Sequence, residues 1–264
     1  MRILKTKAEI ALMREAGLIV WEAHQLAADM IAPGVTTAEI NAVVEQVIEM
    51  HNAIALFKGV PGKVPFPAGT CISVNEEIVH GMPGKRVLKE GDVVSIDIGV
   101  KLNGWCGDAA VTHAVGQISA EKQRLLDITE GTLKIAIQQM EKCHRWSEIA
   151  RAMQDYVVKA GYSVVEELAG HGIGQELWEA PHVPNFSNRK YEREDDFYLQ
   201  PGIVIAVEPM VNVGVRRIKT LRDHWTIVTA DSKPSAHFEH TLALTEEGVK
   251  VLTASPEGKG WAID

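Results

Sequence analysis

The chain has 264 residues, of which 46% are hydrophobic and 23% charged, so it is long enough to bury a core and too apolar to be disordered. Its formal net charge of -8 excludes the overall basic footprint of a nucleic-acid-binding protein, and we expect no specific nucleic-acid partner. Three widely spaced cysteines favour a reducing compartment over a disulfide scaffold. No apolar run has the length of a signal peptide or a membrane span. We therefore expect residues 1–264 to form a single soluble domain, which is monomeric, cytoplasmic and without a membrane partner.

Two amphipathic helices are predicted in the N-terminal part of the chain, over residues 7–31 and 37–51. Thr36 and Glu39 have the spacing of a capping box, which would start the second helix. A loop rich in glycine and proline follows, and strands then dominate. The strands of this part are predicted at 71–74, 78–80, 93–100 and 105–114.

The second part of the chain repeats this order of helices followed by strands. One helix is predicted over 120–140, and another runs from about Ser147, as its N-cap, to Lys159. Helices, strands, helices and strands in succession indicate a duplicated α+β unit rather than βαβ alternation. The later strands are predicted at 163–168, 203–212, 224–230 and 237–244.

The segment IDIGVKLNGWCGDAAV predicts a β-hairpin that brings two carboxylates together. Asn103-Gly104 suits a type I′ turn, because that turn needs positive φ at both central residues. In this register Gly99 lies opposite Asp108, and Asp97 is one diagonal step away on the same face. Two carboxylates so close repel each other, and a divalent cation between them would remove the repulsion. Two surface carboxylates on a solvated sheet face remain the alternative interpretation.

Three further residues are candidate metal ligands. His171 stands in GHGIG, where glycines on both sides allow a close backbone approach, although such a histidine is more often structural or exposed. Glu208 in IVIAVEPMV and Glu239 in AHFEHTLAL interrupt apolar runs, where a carboxylate needs an ion pair, an edge position or a metal. Oxygen-rich ligation with one imidazole suits Mn, Fe, Co or Zn, and two divalent ions would offset four negative charges. The candidate ligands are Asp97, Asp108, His171, Glu208 and Glu239.

The motifs IDIG…GDAA, GHGIG, VEPMV and FEHTLAL together resemble type I methionine aminopeptidases in their short bacterial form. The resemblance implies an α+β pita-bread fold, with duplicated halves and with helices on the outside of a curved antiparallel sheet. It implies a dinuclear metal centre held by the five residues above. It also implies removal of the N-terminal methionine from newly made proteins, with peptide or nascent-protein N-termini as substrates and transient association with the ribosome.

The same resemblance suggests roles for residues around the metals. His80 would contact the substrate and assist proton transfer, and Glu208 would relay the proton of the attacking water as well as bind metal. Cys71, Phe66 and Trp225 match positions of the methionine pocket. The alternatives are a strand-end histidine for His80 and ordinary core packing for the pocket residues.

Two adjacent positions depart from the family pattern GHGIGxxFHExP. This chain reads GHGIGQELWEAP, so that Leu177 replaces the phenylalanine and Trp178 replaces the second histidine on the substrate side of the site. An indole N–H can donate a hydrogen bond but cannot take up a proton. The departure keeps other hypotheses open: another metal-dependent aminopeptidase such as a proline-specific one, a weakened or specialised paralogue, or a binding module that reuses the fold without activity.

Overall fold

The computed structural model describes residues 4–263, in which helices and antiparallel strands alternate in blocks. The helices are α1 (Lys7–Asp29), α2 (Thr37–Met50), α3 (Ala120–Gln139), α4 (Trp146–Lys159) and α5 (Arg189–Glu194). The strands of the first part are β1 (Ile54–Ala55), β2 (Thr70–Val74), β3 (Glu77–Val79), β4 (Val93–Leu102) and β5 (Trp105–Ala114). Those of the second part are β6 (Ser163–Val164), β7 (Gly170–Gly172), β8 (Glu179–Val183), β9 (Val204–Val207), β10 (Met210–Asn212), β11 (Ile218–Thr220), β12 (Ile227–Thr229), β13 (Ser235–His237), β14 (His240–Thr245) and β15 (Gly248–Val251).

Each part of the chain packs a pair of helices on antiparallel strands. In the first part, α1 and α2 cover the sheet of β1, β4, β2 and β5, and their shared core includes Val20, Val44 and Ile96. In the second part, α3 and α4 pack near β10 and β13, with Trp146 stacked on Phe197 in the core. Apolar residues at helical spacing on one face and at every second residue of the strands account for both cores. The duplicated α+β order expected from the sequence is therefore present.

The helix boundaries follow the predictions closely, with one exception. At α2 the side chain of Thr36 accepts a hydrogen bond from the Glu39 amide, and Glu39 accepts one from the Thr36 amide in return, as predicted. At α4 the predicted N-cap Ser147 is wrong, because the helix already begins at Trp146.

The reason for the early start of α4 is local hydrogen bonding. The Glu148 carboxylate accepts a hydrogen bond of 2.8 Å from the Arg145 amide and so closes the first turn. The Ser147 hydroxyl donates to Asp196 at 2.8 Å and is not available as a cap.

The strands predicted as continuous over 203–212 and 237–244 are each broken, at Glu208 and at Glu239. Before the first break β9 pairs with β14, and after it β10 pairs with β13 in another sheet. The two broken segments therefore lie next to each other in both sheets, and each crosses from one sheet to the other at its glutamate. Pro209 has no amide hydrogen, so the ladder cannot continue through it.

Two further strands are shorter than predicted. Of 163–168, only the first two residues form a strand paired with β10, and the Val165 amide adds one hydrogen bond to the Met210 carbonyl before the chain continues to β7. The first residues of the segment predicted at 224–230 belong to a turn instead. In this turn the Asp223 carboxylate accepts hydrogen bonds from the amides of Trp225 and Thr226. Within residues 4–263, no helix has the length and apolar character needed to cross a membrane.

Candidate metal centre

The β4–β5 hairpin places two aspartates on one face of its sheet. The backbone has φ of 50° at Asn103 and 86° at Gly104, which is the positive-φ pair that a type I′ turn requires. Gly99 lies opposite Asp108, and Asp97 lies opposite Ala110, in the predicted register. The carboxyl groups of Asp97 and Asp108 therefore approach one another across the hairpin.

Two glycines explain how His171 reaches the same place. His171 lies on β7, opposite Ala206 of β9. A Cβ at Gly170 would stand 2.2 Å from the Ala206 carbonyl oxygen, and a Cβ at Gly172 would stand 2.2 Å from the Ala180 carbonyl oxygen. Only glycine allows β7 to fit this closely between its neighbours. The GHGIG motif is thus a packing requirement of β7 that leaves the histidine side chain directed at the aspartates.

The imidazole of His171 is oriented for ligation. Its Nδ1 lies 3.0 Å from the Gly172 carbonyl oxygen, to which a protonated Nδ1 donates, so the lone pair is on Nε2. Nε2 lies 3.9 Å from Asp108 Oδ2 and 3.6 Å from Glu208 Oε1. Burial lowers the pKa of His171, which favours the neutral, ligating form.

The two glutamates reach the centre from the strand breaks described above. Ligand atoms of Asp108, His171 and Glu239 all lie within 4.8 Å of one another. Glu239 is buried, whereas Glu208 keeps a small exposed fraction towards the cavity above the cluster. The sequence predicted both glutamates inside strands, and this was wrong. Each lies instead where its segment crosses from one sheet to the next.

Burial and mutual repulsion make these carboxylates hard to ionise without a counter-charge. Burial raises the pKa of Asp97 to about 7. The pKa of Asp108 is raised by burial and then by the charges of Glu239 and Asp97. The pKa values of Glu208 and Glu239 are raised for the same two reasons. Such a cluster is stable in its charged form only if cations neutralise it.

Hydrogen bonding among residues 4–263 leaves part of the cluster without partners. Asp97 Oδ1, Asp108 Oδ1 and Glu239 Oε1 are buried oxygens that accept no hydrogen bond from these residues. Several unsatisfied carboxylate oxygens beside an imidazole nitrogen are the donor set that divalent transition metals prefer. The residues present therefore fit a divalent metal centre.

A partly open cavity of about 80 Å³ lies over the cluster. Phe66 and Trp225 meet edge to face in its wall, with ring centroids 5.3 Å apart. The thiol of Cys71 is buried, and burial together with the charge of Asp97 raises its pKa, so it stays neutral. The residues lining the cavity besides the five candidate ligands are Phe57, Val60, Phe66, Cys71, His80, Trp178 and Trp225.

His80 and Trp178 flank this cavity in different ways. His80 follows β3 with φ of 58°, a left-handed conformation that is uncommon for residues other than glycine. Burial lowers the pKa of His80, so its imidazole is neutral near pH 7. Trp178 lies at the cavity with 60% of its surface exposed. His182, four residues further on, is not among the cavity-lining residues.

His237 also belongs to the site, although its sequence motif did not predict this. Its Nε2 lies 3.8 Å from Glu208 Oε2 and 3.9 Å from Glu239 Oε2, in a fully buried position. Burial lowers its pKa to about 3, so it is a neutral neighbour of both glutamates. Its position two residues before Glu239 in AHFEHTLAL was the available signal, but the break in the strand hid the relation.

A carboxylate-rich cluster with an imidazole, at the base of an apolar cavity, defines the class of metal-dependent hydrolases. The sequence model of "Metallopeptidase family M24" matches residues 11–246. "Methionine aminopeptidase 1" of Bacillus subtilis (strain 168) is 48% identical over 254 residues, which cover 96% of this chain and 99% of that protein. "Methionine aminopeptidase" of Escherichia coli (strain K12) is 35% identical and covers 95% and 93% of the two chains.

Solved structures agree with the sequence comparison. The methionine aminopeptidase from Thermotoga maritima superposes with a TM-score of 0.90 at 37% identity, covering 96% of this chain and 99% of that one. A prolidase from Pyrococcus furiosus matches with a TM-score of 0.76 at 24% identity, which bears on the fold alone. The expected pita-bread fold is confirmed. The chain belongs to metallopeptidase family M24 and, within it, to the bacterial methionine aminopeptidases.

Proposed function

We propose that this protein removes the N-terminal methionine from peptides and newly made proteins, with two divalent metal ions as cofactors. The observation that carries the proposal is the cluster of carboxylates and imidazole facing a largely apolar cavity. The 48% identity to a B. subtilis protein named methionine aminopeptidase supports the same reaction. The proposed ligands are Asp97, Asp108, His171, Glu208 and Glu239.

The metal ions would act as Lewis acids, which lower the pKa of the attacking water and polarise the scissile carbonyl. The protein's own part is to place acids and bases around that water. Glu208, ionised beside the cations, takes up the proton of the water and is both ligand and base. Neutral His80, on the cavity wall, hydrogen-bonds the substrate and assists proton transfer to the leaving amine.

The apolar part of the cavity would select methionine. Phe66 and Trp225 present aromatic edges and faces, on which a thioether sulfur packs favourably. Cys71 supplies a small, neutral and buried wall. Trp178, at the exposed end, would donate its indole N–H to the backbone of the bound peptide.

Hydrolysis of Met-Ala-Ser, measured in the presence of Co, Mn, Fe or Zn, tests the proposal. We expect turnover with at least one metal and its loss on chelation, and we expect Glu208→Gln to abolish it. Glu167→Gln, which changes an exposed glutamate, is the matched control and should leave turnover unchanged. Absence of turnover with every metal would exclude the proposed activity.

A second substrate and a measurement of metal content separate two other functions from the proposed one. A proline-specific peptidase would cleave Xaa-Pro peptides faster than Met-Ala peptides, and we expect the reverse. A binding module without activity would be isolated without metal and would not take it up, whereas the intact donor set predicts metal uptake.

We further propose that the protein acts as a cytoplasmic monomer that associates transiently with ribosomes, because its proposed substrate emerges there. Sedimentation with and without ribosomes carrying nascent chains tests both statements. A stable oligomer, or no enrichment in the ribosome fraction, would contradict them.

A further inference from the structure

The two glutamates of the centre share an unusual backbone situation. Glu208 and Glu239 each lie in a short break between strands, so neither carbonyl group is part of a β-ladder. A side chain from a distant segment replaces the missing partner in both cases. Asn185 Nδ2 donates to the Glu208 carbonyl oxygen at 3.0 Å, and Trp261 Nε1 donates to the Glu239 carbonyl oxygen at 3.0 Å.

Trp261 is itself held firmly near the end of the described chain. Its ring stacks on His240 at a centroid distance of 4.3 Å and on Trp21 at 5.6 Å, nearly parallel to both. Its own carbonyl oxygen lies 2.9 Å from His240 Nε2. Trp261 therefore bonds Glu239 through its side chain and the following residue, His240, through its main chain.

The opposite side of Glu239 is also fixed. The Glu239 amide donates to the Ala110 carbonyl oxygen of β5 at 2.8 Å. With Trp261 on the carbonyl and Ala110 on the amide, the peptide groups on both sides of the Glu239 Cα cannot rotate freely. The direction of the Glu239 side chain is set by these groups, because Cβ follows the backbone.

Asn185, the donor to Glu208, is also fixed by its surroundings. It is fully buried, and the preceding residue, Pro184, accepts a hydrogen bond of 2.8 Å from the Trp146 indole. Pro209, which follows Glu208, has no amide hydrogen with which to fix that peptide. Among the described residues, the hydrogen bond from the Asn185 side chain therefore holds the Glu208 carbonyl in place.

We propose that Trp261 and Asn185 are positioning residues, which aim the carboxylates of Glu239 and Glu208 by holding their carbonyl groups. The inference rests on the proposed role of these glutamates as metal ligands. Partners that orient metal ligands from behind typically change metal affinity by roughly 10- to 100-fold when they are removed. The same range is expected here, with a matching loss of kcat rather than a rise in KM.

Trp261→Phe and Trp21→Phe are the decisive pair of variants. Both remove one indole from the same stack and keep an aromatic ring. Among the described residues, only the Trp261 indole of this pair is hydrogen-bonded to a candidate ligand. Titration calorimetry with Mn²⁺ at a temperature where both variants are folded measures the affinity, and thermal unfolding measures stability. We expect weaker Mn²⁺ binding in Trp261→Phe and unchanged binding in Trp21→Phe.

Asn185→Ala and Asn212→Ala form the second pair, which covers the case that the C-terminal variant does not fold. Both asparagines are fully buried, but the Asn212 side chain donates to the Val215 carbonyl at 3.0 Å and accepts from the Ser235 hydroxyl at 2.8 Å, and neither partner is a candidate metal ligand. Weaker binding in Asn185→Ala alone supports positioning. The proposal would be overturned if the two variants of each pair bound Mn²⁺ with equal affinity, whether that affinity is unchanged or reduced from that of the wild type.

Amide hydrogen exchange separates this inference from the proposed function. Exchange of the Glu239 amide should accelerate in Trp261→Phe and not in Trp21→Phe, whether or not metal is present. Unchanged exchange would refute positioning even in an active enzyme. If exchange accelerates as expected in Trp261→Phe but the wild type does not cleave Met-Ala-Ser, the proposed function is refuted and the positioning role is not.

Discussion

Trp178 replaces the second histidine of the motif GHGIGxxFHExP, and it lies at the candidate active-site cavity. Indole can donate one hydrogen bond, whereas imidazole can also accept and release a proton. We predict that Trp178→His raises kcat for Met-Ala-Ser, by a factor approaching the roughly 10²-fold that a single transition-state hydrogen-bonding group contributes elsewhere. Steady-state kinetics at saturating metal measure the change.

The control for this prediction is Trp178→Phe, which keeps a ring of similar character and removes the N–H. Its kcat should not exceed that of the wild type. Equal rates for the histidine variant and the wild type would mean that a proton-accepting group at position 178 is dispensable.

His24 makes the free energy of unfolding depend on pH. It is buried under β5, where its Nε2 lies 2.9 Å from the Ala109 carbonyl oxygen, and burial lowers its pKa to about 3. Below pH 6.5 the unfolded chain binds a proton that the folded chain does not, so acid favours unfolding by about 1.4 kcal/mol for each pH unit. We predict that His24→Gln, which retains an N–H donor, reduces this loss.

Urea unfolding at pH 7.5 and pH 5.5 checks the prediction. The free energy of unfolding should fall between these pH values by about 1.4 kcal/mol less in His24→Gln than in the wild type. His113 and His240 also have lowered pKa values and lie near His24, but they are present in both proteins, so their contributions cancel. An equal fall in the two proteins would show that His24 is not the acid-sensitive group.

At the scale of elements, α1 is clamped between β5 and the segment that follows β15. A Cβ at Gly17 would stand 2.0 Å from the Leu252 carbonyl oxygen, and a Cβ at Gly107 would stand 2.9 Å from the Gly17 nitrogen. Arg14, one turn away, donates to the carbonyls of Leu252 and Ala254 at 2.6 Å. The helix can sit this close only because glycine occupies both contact points.

We predict that Gly17→Ala destabilises the protein, although alanine is the better helix former by about 1 kcal/mol. Forcing a methyl group against a fixed carbonyl typically costs about 1–3 kcal/mol, which outweighs the gain in helix propensity. The urea midpoint measures the effect. Gly84→Ala, where the nearest atom is 3.9 Å from the added Cβ, should change the midpoint little. A more stable Gly17→Ala variant would contradict the tight packing of α1.

The sequence predicted elements well where local chemistry decides them. The turn at Asn103-Gly104 determines the register of β4 and β5, so the approach of Asp97 to Asp108 follows from adjacent residues. The break at Glu208 could not be predicted in this way, because it depends on β9 and β10 pairing with β14 and β13, some thirty residues further along the chain.

At the scale of the whole molecule, the proposed ligands join its two parts. Asp97 and Asp108 come from the β4–β5 hairpin of the first part, whereas His171, Glu208 and Glu239 come from the second. Metal would therefore link segments far apart in sequence and would bind only the folded chain. We predict that Mn²⁺ at 100 times its Kd stabilises the protein by about 2.7 kcal/mol, on the order of 5–10 °C in Tm.

Thermal unfolding with and without Mn²⁺ measures this shift, and a chelator should reverse it. Glu239→Gln should unfold at nearly the same temperature with and without the ion. Glu167→Gln, at an exposed position, should keep the full shift. A Glu239→Gln variant that is stabilised as much as the wild type would remove Glu239 from the ligand set.

Contacts between distant segments of the second part could not be predicted from the sequence. His237 lies beside Glu208 and Trp261 donates to the Glu239 carbonyl, and neither residue belongs to a motif with a spacing of its own. The five proposed ligands emerged from the sequence because a family resemblance joined separate motifs. Their supporting contacts emerged only from the three-dimensional arrangement.

The β4–β5 hairpin has a consequence for how such proteins diverge. Because side chains alternate between the faces of a sheet, one residue inserted on either arm would turn Asp97 or Asp108 to the opposite face, while the hydrogen-bonded ladder could re-form. Apart from Asn103-Gly104 in the turn and Gly107 against α1, substitutions among the ten residues between the aspartates leave both carboxylates on one face, whereas a single-codon insertion does not. Among relatives, the conserved length of this interval, rather than the identity of its other residues, should distinguish genes that still encode a metal site from those that have lost it.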